Sequence, residues 1–174
     1  MLDRLGPENV ARWVSAALRL MAVALPTAVA GWWAFADDGT IVAAAPGFVA
    51  PADGAVRLAG AALSLLPALV GSIACWRAAA GFAGFARGAF FAPATIAAFR
   101  GAARWLLVGV VVKIASGAAL SVALTLLDGA PGGTLSVAFG SGEITDLLVA
   151  FGVYVTAAVL TRASALAHEN AAFV

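Results

Sequence analysis

The chain has little with which to do chemistry. Cys75 is its only cysteine and His168 its only histidine in 174 residues. That excludes an internal disulfide, a cysteine metal cage and zinc held by histidines. Charge is scarce: 11% of residues are charged and 63% hydrophobic, against about 25% and about 45–50% in soluble domains. Ten basic and nine acidic residues nearly cancel, so net charge makes no case for direct nucleic-acid binding. Paired carboxylates within an apolar stretch, a Ser/His/Asp arrangement and a phosphate-cradling loop are all missing, and Gly132-Gly133 reads as a turn. The expectation is a non-enzymatic protein with no cofactor and no metal.

What is present is apolar length. A hydrocarbon core about 30 Å thick takes about 20 apolar residues of helix, and four stretches qualify: 13–35, 58–76, 105–127 and 144–161. The expected fold is an all-α integral membrane protein, one domain forming a four-transmembrane-helix bundle. Arg4 and Arg12 before the first stretch, with Ala28-Val29-Ala30 inside it, have the look of a cleaved signal. Arg19 interrupts that run and three more apolar segments follow, so the first stretch reads as a retained helix. Pro26 and Pro67 lie inside spans, where packed membrane helices tolerate them as kinks. Trp13, Trp32, Trp33, Trp76 and Trp105 all fall at span ends, at the headgroup level that indole rings prefer. Trp13 to Trp32 covers about 28 Å at about 1.5 Å per residue, one hydrocarbon thickness.

Arginine sets the orientation. The amino-terminal segment, the 77–104 loop and the carboxyl tail carry Arg4, Arg12, Arg77, Arg87, Arg100, Arg104 and Arg162, whereas the two opposite loops carry only Arg57. By the positive-inside rule both termini of the multi-pass chain are expected in the cytoplasm. Loops 36–57 and 128–143 then face outward. Thr40-Ile41-Val42 and Leu135-Ser136-Val137-Ala138-Phe139 have strand character, and a small extracytoplasmic β element from these two loops is expected, with unpaired coil as the alternative.

The 77–104 loop holds four arginines, no acid, and Phe82, Phe85, Phe90, Phe91 and Phe99. Gly81, Gly84 and Gly88 are read as loosening it, with helical extensions on either side of a turn near Gly88 and a new helix at Pro93. Arg77, Arg87, Phe90, Phe91, Arg100 and Arg104 are the candidate contacts for a partner or for anionic lipid. The blander reading is positive-inside topology with interfacial anchoring. Small residues four apart (Gly60 and Ser64, Gly71 and Cys75, Gly152 and Thr156) allow close helix approach.

Arg19 and Lys113 lie within spans, where a charge costs about 2.5–3.5 kcal/mol at mid-helix. Counted from the basic ends of their spans they lie about 9 Å and about 12 Å deep. Tyr154 has a comparable depth on the fourth span. Asp146 falls toward the other face, so a salt bridge to Lys113 is not expected. Two readings stay open: both cations snorkel, or Arg19, Lys113 and Tyr154 line an anion pocket.

The order of elements resembles the bacterial four-span membrane family known as domain of unknown function 2975. The resemblance rests on Gly88-Ala89-Phe90-Phe91 leading into Phe99-Arg100-Gly101, on Val137-Ala138-Phe139-Gly140-Ser141-Gly142-Glu143, and on a tail with Glu169-Asn170 and a terminal Val174. The tail has one acid where the family has two, and Ala172-Phe173 stands where Leu-Thr is usual. The resemblance implies no established activity and marks Glu169 and Asn170 as tail residues of interest. A membrane adaptor or regulatory partner, binding membrane lipids and another protein through the basic Phe-rich loop and tail, is the leading expectation. An accessory subunit of a larger membrane complex comes next, and a small transporter last.

Overall fold

The structure is a computed structural model and describes residues 6–44, 53–128 and 140–171. Among these, five helices follow one another: α1 (Pro7–Phe35), α2 (Asp38–Ala44), α3 (Gly54–Phe85), α4 (Pro93–Asp128) and α5 (Ser141–Ala171). α1, α3, α4 and α5 are each long and apolar enough to cross a membrane. They run up and down as a bundle, and the chain is read as a multi-pass membrane protein. The helices outrun the apolar stretches because helix geometry satisfies the backbone inside the bilayer and beyond it alike. The bundle is open: among the described residues α1 packs on α3, α3 on α4 and α4 on α5, and no other pair of the four long helices comes into close backbone approach.

Local chemistry explains the helix ends. Pro7 stands at the first position of α1 with Glu8 in the first turn, both suited to free N–H groups and a positive dipole end. α3 is capped by Asp53, whose carboxylate accepts the Val56 N–H at 2.9 Å. At the start of α5 the Glu143 carboxylate reaches back to the Gly140 N–H at 2.8 Å, half of a capping box. The last carbonyls of α1 are met from another helix. Arg57 of α3 donates to the carbonyls of Trp33 at 3.1 Å and Ala36 at 2.9 Å, and pairs with Asp38 at 2.8 Å. The one arginine on its side of the chain thus serves as a C-cap. α1 continues through Pro26, beside which the Thr27 hydroxyl donates to the Val23 and Ala24 carbonyls, each at 2.9 Å.

The α3–α4 hairpin turns as the loop pattern anticipates. Gly88 takes φ 71°, the left-handed conformation. The Ala89 N–H reaches the Gly84 carbonyl at 3.0 Å and the Gly88 N–H reaches Phe85 at 2.9 Å, a Schellman closure. Pro93 opens α4. Gly81 and Gly84, by contrast, do not loosen the chain. Both are buried in regular helix, Gly81 beneath the Phe99 ring and Gly84 against Thr95, where a β-carbon would collide. Their missing side chains let α3 and α4 approach closely.

The expected outer β element is not found among the described residues. Thr40, Ile41 and Val42 lie in α2. Their β-branched run favours a strand, but Asp37 accepts from the Thr40 N–H at 2.8 Å and the Thr40 hydroxyl at 2.9 Å, starting a helix. That turn buries Ile41 against Trp33, Val56 and Leu124. Residues 135–139, the other half of that expectation, lie outside the described residues. The small-residue pairs divide similarly. Gly60 lies under the Trp33 ring and Gly71 beside Leu25, whereas Gly152 faces open space.

Two predictions follow from these turns. Gly88→Val forces a branched side chain into the left-handed region and is expected to cost about 1–2 kcal/mol, read as a lowered unfolding midpoint in mild detergent. The Asp37 carboxyl is held below its ordinary value by the Thr40 N–H and hydroxyl. Its capping contribution is therefore complete above the ordinary aspartate range and lost as pH falls through the lowered value. Trp33 fluorescence in the wild type should report an acid-limb loosening of α2 that Asp37→Asn removes.

Candidate functional site

Four antiparallel crossings place the start of α1, the α3–α4 turn and the end of α5 at the same end of the bundle, with Arg12, Arg77, Arg87, Arg100, Arg104 and Arg162 toward it. Three of those arginines converge. Arg100 and Arg104 stand one turn apart on α4 and form a ridge with a concavity on either side. Toward α3 lies one of about 310 Å³, lined by Arg77, Arg100, Arg104, Gly101 and Trp105. Toward α5 lies one of about 280 Å³, lined by Arg100, Arg104, Tyr154, Ala157 and Ala158. The Arg77 side chain passes alongside Gly101, 3.6–3.9 Å from where a β-carbon there would be, at ordinary contact distance. Like charges one turn apart repel. No acidic side chain among the described residues pairs with any of the three. The Arg100 guanidinium donates to the Thr161 hydroxyl at 3.2 Å, so its charge is not neutralised. Such a surface is receptive to an anion.

The remaining sequence candidates fall in several places. Arg87 is exposed on the hairpin turn. Phe90 stacks at 5.3 Å on Phe85, which lies 5.1 Å from the buried Phe99. The phenylalanines of the loop therefore mostly hold the hairpin together, while Phe91 stays exposed. Glu169 lies on the last turns of α5 with Asn170; their side chains fall outside the described residues, as does Val174.

Arg19, Lys113 and Tyr154 are not brought together. Arg19 is exposed, its guanidinium 6.0 Å from the Trp76 ring centroid, a cation–π distance. Tyr154 belongs to the arginine ridge. Lys113 makes the ion pairs that depth counting excluded: its ammonium lies 2.9 Å from Asp146 and 3.1 Å from Glu143. The reason is register. Arg100 faces Thr161 and Lys113 faces Asp146, so Ser141 starts α5 near the level of Gly117. About ten residues of α4, roughly 15 Å, project past the start of α5. Counting depth as if all spans ended flush put Asp146 too far out.

Among the described residues no cluster of His, Cys, Asp and Glu is able to hold a metal ion. No protein-family model, curated protein or solved structure matches the chain.

Lys113 and Asp146 are each nearly half exposed at a depth where water is scarce. Lys113→Met leaves two acids without a cation and is expected to destabilise the α4–α5 pair by about 1–3 kcal/mol. Adding Glu143→Gln and Asp146→Asn should restore most of that loss, as read by thermal unfolding in detergent.

Proposed function

We propose that the chain is a non-enzymatic adaptor or regulatory partner of the bacterial inner membrane, with both termini in the cytoplasm. Its working surface is the arginine ridge at the end bearing those termini. The convergence of Arg77, Arg100 and Arg104 around two concavities, with no acid among the described residues to neutralise them, is the observation that carries this reading. A phosphate or carboxylate group there forms charge-assisted hydrogen bonds with planar guanidinium donors. Trp105 and Tyr154 alongside supply the aromatic anchoring typical of the headgroup level. The anion is offered either by a lipid headgroup or by an acidic segment of a partner protein. The excess of arginine at this end supports the orientation.

A second reading, an accessory subunit of a larger complex, is favoured by the open bundle. Among the described residues α5 packs on α4 alone, and of its apolar residues only Ala150 and Ala157 are buried, which leaves faces free for lateral packing.

Purification in mild detergent, followed by identification of bound lipids and proteins by mass spectrometry, separates the two. An anionic lipid or acidic partner that is lost in the Arg77→Gln/Arg100→Gln/Arg104→Gln variant supports the ridge. Each lost charge-assisted contact is expected to weaken retention by about tenfold. A stoichiometric complex insensitive to that variant supports the subunit reading instead.

A further inference from the structure

At the opposite end of the bundle is a groove that the arginine ridge does not involve. Its floor is Ser64 on α3, its walls are Val29 and Trp33 of α1 and Leu120 and Leu124 of α4, and Ile41 of α2 closes its outer end. It stays open because α1 and α4 both pack on α3 without close backbone approach to one another. Its volume is about 330 Å³, within the range of pockets that hold small ligands, about 300–1,000 Å³. Trp32 lines it as well, and apart from that indole N–H the polar groups of the lining among the described residues are the Trp33 indole N–H and the Ser64 hydroxyl.

Those two groups are wired unusually. Ser72, Thr125, Thr156 and Thr161 each donate their hydroxyl proton to a carbonyl one turn back. Ser64 instead receives the Trp33 indole N–H at 3.1 Å. Among the described residues its own proton reaches no acceptor. At this depth an unspent donor has no bulk water to satisfy it, and leaving it bare is costly. The groove therefore presents the unspent Ser64 hydroxyl proton in a largely apolar cleft, with the Trp32 indole also in its lining.

Depth and charge narrow the occupant. Trp32 and Trp33 close α1 at the level where indoles mark the headgroup boundary. An ester carbonyl of a phospholipid lies at that level, with its acyl chain running inward. Among the described residues no charged side chain lines the groove, so these residues do not select a headgroup or hold a free carboxylate. We propose that this groove is a phospholipid site: an acyl chain lies between α1 and α4, and the Ser64 hydroxyl donates to the chain's ester carbonyl.

The test uses the full chain in nanodiscs of phosphatidylcholine doped with a phosphatidylcholine whose acyl chain carries a diazirine near the ester. Photolabelling is expected to concentrate on the peptides holding Val29 and Leu120–Leu124. Ser64→Ala should lower it about three- to tenfold, the ratio one hydrogen bond supports. Leu120→Trp, which fills the cleft, should abolish it. Leu126→Trp, on a residue 77% exposed outside the groove, should leave it unchanged. Equal labelling around Leu126, or labelling indifferent to Ser64→Ala, would overturn the proposal. So would extraction from the purified protein of a stoichiometric apolar compound lacking an ester. Should Leu120→Trp fail to fold, Ser64→Ala decides the matter, since alanine suits the helix and removes only the hydroxyl.

Discussion

The close approach of α3 to α4 is the constraint on which the rest of the described structure depends. Gly81 beneath Phe99 and Gly84 against Thr95 leave one antiparallel register in which the two backbones fit. Between lipid-facing helices there is no water to expel, so packing of this kind is what holds neighbours together. That register carries Arg77 to the side of Arg100 and Arg104 at one end. At the other it carries Val56 to Leu124, under the lid that Ile41 provides. The ridge and the groove are thus two consequences of a single alignment.

α1 and α5 are attached to this hairpin by different means. α1 is keyed by shape and by backbone contacts. The Trp33 ring sits in the space over Gly60, and the buried Ser15 hydroxyl donates to the Ala79 carbonyl at 2.9 Å. α5 has small buried residues, Ala150 and Ala157, and relies on polar clasps along its length. These are Lys113 to Glu143 and Asp146, Arg100 to Thr161, and Ser164 to the Phe91 carbonyl. In a low-dielectric surrounding such clasps are strong when paired and costly when broken. The net effect is a tightly keyed three-helix unit with a fourth helix latched to its side by charge.

Several local features were legible because they depend on near neighbours in the chain. The turn at Gly88 and the start at Pro93 follow from backbone rules for those residues. Others were misread where a local preference competed with a distant contact. Thr40-Ile41-Val42 prefers a strand in isolation, yet the Asp37 cap and the burial of Ile41 against residues from three other helices decide for helix. Gly81 and Gly84 look like flexible points until the partner helix is in place, and then they are contact surfaces. Of the arginine site, the residue types and their shared end were readable. Which of them meet was not, since it depends on Arg87 lying on the α3–α4 turn while Arg104 lies on the α4 face beside Arg77 and α5.

Apolar runs long enough to cross a bilayer, the scarcity of groups that could catalyse or bind metal, and the clustering of arginine toward one end are properties of composition and order. The sequence by itself determined these, because transfer into lipid depends on each segment's own side chains. Tertiary structure alone decided the axial offset of α5 against α4, and with it the pairing of Lys113 with Glu143 and Asp146. It alone decided that Ser64 would face Trp33 across an open groove. Those outcomes rest on how far one helix slides along another, which is set by the fit of side chains on both, and no single helix contains that information.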